Sequence, residues 1–275
     1  MKKAPTIAAR LWTGLAAAAA LVFFLGPFAW LLLTSLRPEG ELTELGVPSS
    51  LSFGSYAAAF QGRPFGRVLL NSVVVAGATT AFCLAVASTA AFALAKLELR
   101  GKRALLSASL AVSMFPPIAT VSPLYLALKE VHLLDTPLAI VIPHTTFALP
   151  LALWVLTGFF REIPDELYRA ARVDGCTPFQ AFRKIMLPLA MPGFATTAIL
   201  VFIFSWNELL YALTFTSSPT QRTVPVAISL FAGEHAEPWG EIAAASAIAT
   251  LPLVLFALIF QRRIVAGLTR GAVKG

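Results

Sequence analysis

The chain has 275 residues, of which 57% are hydrophobic and only 13% charged, and its formal net charge at pH 7 is +7. A balance so apolar and so poor in charge excludes an ordinary soluble domain and indicates a membrane protein. The positive excess does not indicate nucleic-acid binding, because the basic residues are spread along the edges of apolar windows rather than gathered on one soluble face. No nucleic acid is therefore expected among the partners.

Six uncharged windows separate the bunched charges. A helix rises about 1.5 Å per residue, so roughly 20 residues are enough to cross about 30 Å of hydrocarbon. Because no water is present at that depth to satisfy backbone N–H and C=O groups, each window is predicted to be a helix. The predicted spans are residues 11–36, 68–95, 104–128, 136–160, 185–210 and 242–261. We therefore predict an all-α membrane protein in which residues 1–275 form a single domain.

The basic residues also predict the orientation of the spans. Most of the 21 lysines and arginines border alternate connections between the windows, and short connections rich in these residues remain in the cytoplasm. Both termini and the segment 161–184 are therefore expected on the cytoplasmic side. The first window follows Lys2 and Lys3, as in a signal peptide, but it is longer than a signal core and lacks a clear cleavage site, which favours an uncleaved span.

The outer segment 37–67 carries Phe53, Tyr56 and Phe60 at spacings of three and four, which predicts a short amphipathic helix at the membrane surface. The two cysteines have neither disulfide nor metal-site spacing, since one lies inside the second span and the other in the segment 161–184. Packing roles are expected for both cysteines. No cofactor bound by this chain is expected.

Prolines interrupt two of the predicted spans. Helical hydrogen bonds are lost at Pro116, Pro117, Pro143 and Pro150. Kinks or breaks are therefore expected in the third and fourth spans, where other groups must satisfy the freed backbone. Such breaks can line a transport pathway or merely bend a helix, and both interpretations stay open for Pro116 and the nearby Met114.

Glu208 follows Trp206 and Asn207 near the outer end of the fifth span, embedded in otherwise apolar sequence. An intramembrane carboxylate is costly, so it should face the protein interior or water and find a hydrogen-bond donor. Two roles stay open: a hydrogen bond between helices, or a substrate contact made together with its two neighbours. His144 in the fourth span has the same two alternatives, with packing favoured.

The cytoplasmic segment 161–184 reads REIPDELYRAARVDGCTPFQAFRK and predicts two short helices joined by a tight turn. Pro164 supplies a first-turn proline, and Asp165 and Glu166 place negative charge at the positive end of the helix dipole. Leu167, Ala170 and Ala171 are expected to share one face of this helix. Asp174 and Gly175 end it, because glycine adopts the left-handed conformation without strain.

The second helix of this segment starts with Thr177 as N-cap and Pro178 as first residue. Spacings of three and four then place Phe179, Phe182 and Met186 on one side. Two phenylalanines are costly to leave in water, and a groove on a soluble protein would bury them. The alternative is that both fold back onto the bilayer surface.

A resemblance to a known family lies in this same segment. The residues AARVDG, followed after nine residues by IMLP, are similar to the coupling-loop signature of ATP-binding-cassette importer permeases, E-A-A, three residues, G, nine residues, I-x-L-P. The matching positions are Arg169, Ala170, Ala171, Gly175, Ile185, Leu187 and Pro188. The first position is normally glutamate in the family, so any salt bridge made by that glutamate does not carry over to Arg169.

Further motifs along the chain resemble the second permease of carbohydrate importers of the maltose and trehalose type. They are NSVVVAG at 71–77, MFPP at 114–117, SWNELLYALTF at 205–215, WGEIAAAS at 239–246 and QRRIVAGLTRGAVKG at 261–275. The resemblance implies the six-helix fold of type I importer permeases. It also implies a heteromeric complex with a second permease, a pair of cytosolic ATPases and an outside sugar-binding protein, surrounded by membrane lipid.

The resemblance further implies which residues meet the ATPases. In the loop these are Glu166, Arg169, Ala170, Ala171, Asp174, Gly175, Phe179, Phe182, Leu187 and Pro188. At the C-terminus the implied ATPase-contacting tail comprises Gly267, Leu268, Thr269, Arg270, Gly271 and Lys274. Both sets would transmit ATP-driven motion to the spans.

The implied function is that of a transport subunit forming half of a pathway for a di- or oligosaccharide of the trehalose or maltose type. The chain has no G-x-x-x-x-G-K-S/T run that could cradle phosphates. It is therefore predicted not to be an enzyme, and ATP and Mg²⁺ are expected in the partner ATPases. Two rivals stay open: an ion-coupled secondary carrier, which would need coupling-ion sites and commonly a repeat, and a channel-like or structural membrane subunit.

Overall fold

The computed structural model of the chain describes residues 7–42, 44, 46–61, 64–231 and 238–270. Within these ranges the chain is built from helices with short connections, which confirms the predicted all-α fold. The helices are α1 (Ile7–Ser35), α2 (Gly54–Phe60), α3 (Phe65–Lys96), α4 (Lys102–Ser113), α5 (Pro117–Glu130), α6 (Pro137–Glu162), α7 (Asp165–Val173), α8 (Pro178–Ala181), α9 (Leu187–Leu189), α10 (Met191–Trp206), α11 (Leu210–Phe215), α12 (Val224–Ser229) and α13 (Trp239–Arg270). A 3-10 turn occupies Glu39–Glu41, and a π-helical segment, Phe182–Met186, joins α8 to α9.

Four helices are long and apolar enough to cross a membrane on their own. Their apolar parts are Leu11–Ser35, Phe65–Lys96, Pro137–Glu162 and Trp239–Ile259. Two further pairs pass the same test together but are bent, α4 with α5 by 88° and Pro178–Leu189 with α10 by 77°. Counting each bent pair as one span, the described residues contain up to six spans, at the positions of the six predicted windows.

Two of the predicted spans are not single helices. The third is broken between Ser113 and Pro117, as its prolines predict, because Pro117 begins α5 and lacks the N–H that would continue α4. The fifth was predicted as one helix over 185–210, and this prediction is wrong. It bends at Ala190, where α9 ends, and α10 stops at Trp206 before the separate α11.

The fourth span, α6, continues as one helix through both of its prolines, so the break considered at Pro143 and Pro150 does not form. Both prolines are buried within the chain. Neighbouring helices can hold a helix together where a proline removes a hydrogen bond, and α6 packs extensively against α3 and α10.

Small residues bring α3 and α6 together. Ala87 and Ala91 of α3 and Ala148 and Ala152 of α6 are all buried in one cluster. In a membrane, where no hydrophobic effect drives helices together, small side chains allow the close backbone approach that van der Waals packing needs. Cys83 lies in the same cluster, which confirms its packing role, and its thiol lies 3.8 Å from the Thr145 carbonyl oxygen.

The segment that precedes α12 is tied to α3 by side chains. Asn71 Nδ2 donates to the carbonyl oxygens of Thr220 (2.8 Å) and Arg222 (3.0 Å). Ser72 Oγ accepts from the backbone N–H of Val224 at 2.8 Å. Because buried backbone groups need partners, these two polar residues of α3 fix where the chain returns towards α12.

Residues 1–63 and 228–251 form one compact unit, and residues 64–227 and 252–275 form a second, so the single-domain interpretation stays a prediction. In the first unit, α2 is the short helix predicted for the outer segment and begins one residue after Phe53. Tyr56 of α2 shares a 2.8 Å hydrogen bond with Ser35. The buried Arg37 donates to the carbonyl oxygens of Glu41, Glu44 and Gly46, which closes the connection after α1.

The contact between α10 and α6 gives a test of the packing. A Cβ on Gly193 would lie 2.4 Å from Cγ of Phe159, so Gly193→Ala should displace that ring and destabilise the chain by about 1–3 kcal/mol. Gly158→Ala is the matched control, because a Cβ there meets nothing within 4 Å and alanine favours the helix. Denaturant unfolding of the two purified variants in detergent compares them, and equal midpoints would contradict the packing described.

Candidate functional site

The loop 161–184 folds as the two predicted helices, α7 and α8. Asp165 and Glu166 form the first turn of α7, as predicted, while Pro164 lies just before the helix rather than inside it. Asp174 ends α7, and Gly175 follows with φ +84°, the left-handed conformation predicted for it. The turn therefore needs glycine for its backbone geometry.

The start of α8 is held by a reciprocal pair of hydrogen bonds. Thr177 Oγ1 accepts from the backbone N–H of Gln180 at 3.2 Å, and the backbone N–H of Thr177 donates to Gln180 Oε1 at 2.8 Å. This confirms Thr177 as N-cap. The second bond was missed, although the sequence signal, threonine followed three residues later by glutamine, is present.

Phe182 is the residue that fastens the loop to the spans. Its side chain is only 6% exposed, and its ring lies 5.2 Å from Phe92 of α3 and 6.2 Å from Phe160 of α6, measured between centroids. Met186, one turn further, is fully buried in the same cluster. The expectation that a groove on another protein would bury both Phe179 and Phe182 does not hold for Phe182, because the chain's own core already buries it.

The tip of the loop exposes apolar side chains instead. Phe179 is 64% exposed and Val173 is 87% exposed, and Leu167 and Ala170 are also exposed, while Ala171 is buried. Leu167, Ala170 and Ala171 were predicted to share one face, but only Ala171 faces the core while the other two face solvent. Val173 was missed. The available signal was a β-branched residue immediately before the Asp-Gly turn that ends the helix.

A second attachment joins the start of α7 to the end of α3. Lys96 Nζ donates to the carbonyl oxygen of Ile163 and to Asp165 Oδ1, each at 2.5 Å, and the lysine side chain is only 2% exposed. The hydrogen bond from Lys96 and its charge lower the pKa of the Asp165 carboxyl, with smaller contributions from Arg169 and Lys102. The carboxylate therefore stays charged to lower pH than a free aspartate, and the attachment weakens only as pH falls through that lowered pKa.

A buried polar chain lies within the spans. His144 Nδ1 is 2.7 Å from Ser205 Oγ, and His144 Nε2 is 2.8 Å from Glu208 Oε2. Glu208 also accepts from the backbone N–H groups of Tyr211 (3.1 Å) and Ala212 (3.4 Å), so it caps α11 across the break after α10. This confirms the hydrogen bond between helices for Glu208. For His144 it adds polar contacts to the packing that was favoured.

Tyr211 connects this polar chain to the break between α4 and α5. Its hydroxyl lies 2.7 Å from Thr120 Oγ1 and donates to the Pro117 carbonyl oxygen at 3.2 Å. Its ring stacks on Phe147 of α6 at 5.7 Å. The two breaks in the spans are therefore linked through one side chain, a connection that the sequence did not predict.

The other predicted pathway residues differ in their exposure. Met114 and Pro116 are exposed at the break between α4 and α5. Trp206 is buried and stacks on Phe202 at 5.6 Å. Asn207 is exposed, and its Nδ2 donates to the Ile203 carbonyl oxygen at 2.8 Å.

An open cleft of about 640 Å³ lies beside the break between α4 and α5. Among its lining residues, Phe115 and Phe147 supply aromatic surface, and Thr120 and Thr146 supply the polar groups. Both threonine hydroxyls already donate to backbone carbonyl oxygens, of Pro117 and Ile142 respectively. The cleft therefore offers few free hydrogen-bonding groups to a sugar, whose recognition by a protein depends on them.

The remaining predicted site residues lie at the C-terminus. The backbone of Gly267, Leu268, Thr269 and Arg270 forms the last turn of α13. The helix that contains the sixth span therefore continues beyond residue 261, where the span was predicted to end. Side chains beyond 259 lie outside the described ones, and Gly271 and Lys274 lie outside the described residues altogether. Among the described residues, no group of three His, Cys, Asp or Glu side chains could hold a metal ion.

Comparison with known proteins places this architecture in a family. Residues 50–270 match the family described as "Binding-protein-dependent transport system inner membrane component". The chain is 47% identical over 256 residues to the trehalose transport system permease protein SugB of Mycobacterium tuberculosis, which covers 90% of this chain and 92% of the relative. It is 38% identical over 260 residues to the trehalose/maltose transport system permease protein MalG of Thermococcus litoralis, covering 92% and 93%.

A solved structure shares the fold. A chain of a bacterial ABC transporter involved in the import of the acidic polysaccharide alginate superposes with a TM-score of 0.80, covering 95% of this chain and 99% of that chain at 20% identity. The family match over most of the length, two relatives above 30% identity and this shared fold agree with one another. The chain therefore belongs to the family of inner-membrane components of binding-protein-dependent transport systems.

Proposed function

We propose that the chain is a permease subunit of an ATP-driven importer of di- or oligosaccharides of the trehalose or maltose type. The observation that carries this proposal is the loop of α7 and α8, whose base is buried in the chain's own core and whose tip exposes Val173 and Phe179. An exposed apolar tip on a well-anchored helix pair suits docking into a groove of another protein. The names of the relatives support sugar as the transported class.

The proposed complex contains a second permease, with which this chain forms a heterodimer, a dimer of cytosolic ATPases and an outside sugar-binding protein. The loop and both termini would face the cytoplasm. ATP and Mg²⁺ would be bound by the ATPases, which supply the energy. The family description, which names dependence on a binding protein, supports the outside partner. None of the most apolar window of α1 is buried within the chain, and lipid together with the second permease would cover it.

The anchoring of the loop suggests how ATP-driven motion reaches the spans. Lys96 ties the start of α7 to α3, and Phe182 ties the end of α8 to α3 and α6. When ATP binding closes the ATPases, the loop would move as a rigid lever and shift the population from inward-open to outward-open arrangements. The 77° bend between the loop and α10 sets the direction of that lever.

If the tip docks on the ATPases, variants of the tip should lose ATPase binding, whereas variants of the core should lose stability. The double change Val173→Ser and Phe179→Ala should weaken ATPase binding by at least about 30-fold, since even one buried apolar anchor is worth about 2 kcal/mol, and should leave unfolding unchanged. Val47→Ser is the matched control, because Val47 is 85% exposed in the outer segment. Phe182→Ala should instead destabilise the chain by about 3–5 kcal/mol.

The measurements for these variants are co-purification of the ATPases, sugar uptake and denaturant unfolding. Loss of ATPase binding and uptake in the tip variant, with both retained in the Val47 variant, is the expected pattern. A tip variant that retains native ATPase binding and uptake would remove the docking role of the loop.

The contacts of Glu208 separate the importer from an ion-coupled carrier. Glu208→Gln should lower uptake by less than about tenfold, because an amide keeps an acceptor for the α11 backbone and a group that can pair with His144. Glu208→Leu, which removes both, should lower uptake further. The measurement is uptake with cellular ATP held constant, with and without a protonophore. Uptake by the unaltered chain that collapses with the protonophore would favour the carrier.

The C-terminal tail gives a further test of the complex. Deleting residues 268–275 should alter ATP hydrolysis by the assembled complex without blocking membrane insertion, because the tail is proposed to contact the ATPases. Its glycines permit close backbone approach, and Arg270 and Lys274 can pair with acidic groups. ATPase assays on the purified complex measure the effect. Native rates of hydrolysis and uptake after the deletion would contradict the contact.

A further inference from the structure

A polar cleft is lined by the end of α3, the start of α4 and residues of α7. Its volume is about 390 Å³. The charged and polar side chains that line it are Lys96, Glu98, Lys102, Asp165, Tyr168 and Arg169. The cleft is at the base of α7, away from the apolar tip around Val173, so the proposed docking surface does not account for it.

The charges in this cleft do not balance. Lys96 and Asp165 neutralise each other, and the lysine amine is already occupied by the carboxylate and by the Ile163 carbonyl oxygen. What remains is Lys102 and Arg169 against Glu98. In the described part of the chain, neither Lys102 nor Arg169 has a carboxylate within ion-pair distance. The three cations Lys96, Lys102 and Arg169 thus outnumber the two carboxylates of Glu98 and Asp165 by one. This net positive charge, with Lys102 and Arg169 outside any close ion pair, attracts an anion.

The position of the cleft indicates which anion. Lys96 is the last residue of the α3 span and Lys102 the first residue of α4, so the cleft lies at the level where apolar sequence gives way to charge. Arg100 and Arg103 stand in the same short connection. One turn into α4, Leu105 is exposed and could lie against an acyl chain. Basic pockets at this depth on the cytoplasmic side suit anionic lipid headgroups.

We propose that this cleft binds the phosphate of an anionic phospholipid of the inner leaflet, with Lys102 and Arg169 as its ligands. The placement in the inner leaflet rests on the proposed function, which puts the loop in the cytoplasm. Because Arg169 belongs to α7 and Lys102 to α4, a bound headgroup would bridge the loop to a second span, in addition to the Lys96 attachment to α3. An acidic side chain of an ATPase is the competing occupant.

The test uses the assembled complex with its second permease and ATPases. It is purified from membranes, and the phosphatidylglycerol that it retains is counted by native mass spectrometry. The complex is also placed in nanodiscs of phosphatidylcholine alone or of an equal mixture of phosphatidylcholine and phosphatidylglycerol, and ATP hydrolysis is compared. The variants are Lys102→Gln with Arg169→Gln, the charge-preserving pair Lys102→Arg with Arg169→Lys, and Arg103→Gln as a control whose residue does not line the cleft.

The expected result is that the neutralised pair loses the retained lipid, and that the stimulation of its ATP hydrolysis by phosphatidylglycerol falls at least tenfold. The other two variants should keep both the lipid and the stimulation. Equal loss in the Arg103 variant would overturn the proposal by showing diffuse attraction to the whole basic connection. Displacement of the lipid by inorganic phosphate at equal concentration would overturn it in favour of a free anion. Loss of the ATPases with the lipid retained would show that the cleft holds an acidic side chain of the partner.

The proposal is also overturned if all variants retain the same amount of phosphatidylglycerol. The denaturant midpoint detects failure to fold, and if the neutralised pair does not fold, the charge-preserving pair provides the test. If that pair folds and loses the lipid as completely as the neutralised pair, charge in the cleft does not hold the headgroup.

Discussion

The burial of Phe182 between α3 and α6 is the contact on which the rest of the structure depends. Its ring joins those of Phe92 and Phe160 in a cluster that also buries Met186. Fully burying a phenylalanine side chain stabilises a fold by about 1.5–3 kcal/mol, and here the buried group belongs to a loop outside the spans. The loop is thereby part of the core of its unit rather than an appendage of it.

This anchoring has consequences at both ends of the spans. On the loop side, the chain passes from Phe182 through a π-helical segment and a 77° bend into α10. At the other end of α10, Glu208 caps α11 and pairs with His144 of α6, and Tyr211 reaches the break before α5. Movement of the loop therefore has a contiguous path of packed rings, helix and hydrogen bonds to both breaks in the spans.

Local signals in the sequence predicted the elements that depend on neighbouring residues. The windows of uncharged residues located the spans, Gly175 and Thr177 marked the turn and the cap of the loop, and Pro117 marked the break before α5. Each of these follows from backbone chemistry within a few residues. The motifs that resemble those of importer permeases also identified the family from the sequence.

Tertiary contacts decided what the sequence did not predict. Phe179 and Phe182 have the same local pattern, and only the presence of Phe92 and Phe160 decides which of them is buried. Similarly, α6 accommodates its prolines while packed against α3 and α10, whereas the chain breaks at Pro116 and Pro117. The pairing of His144 with Glu208 joins residues 64 positions apart, a separation at which periodicity carries no information.

We infer that the loop and the α3–α6 core move as one rigid body, held together by Phe182 and Lys96. The most direct measurement is a spin-label distance between the native Cys176 at the loop turn and a cysteine introduced at Leu99, just after α3, with the buried Cys83 replaced by serine. In the assembled complex, a rigid body gives the same distance distribution without nucleotide and with bound ATP. A distribution that shifts on ATP binding, with the ATPases still attached, would show that the loop moves independently of the core and would contradict the account.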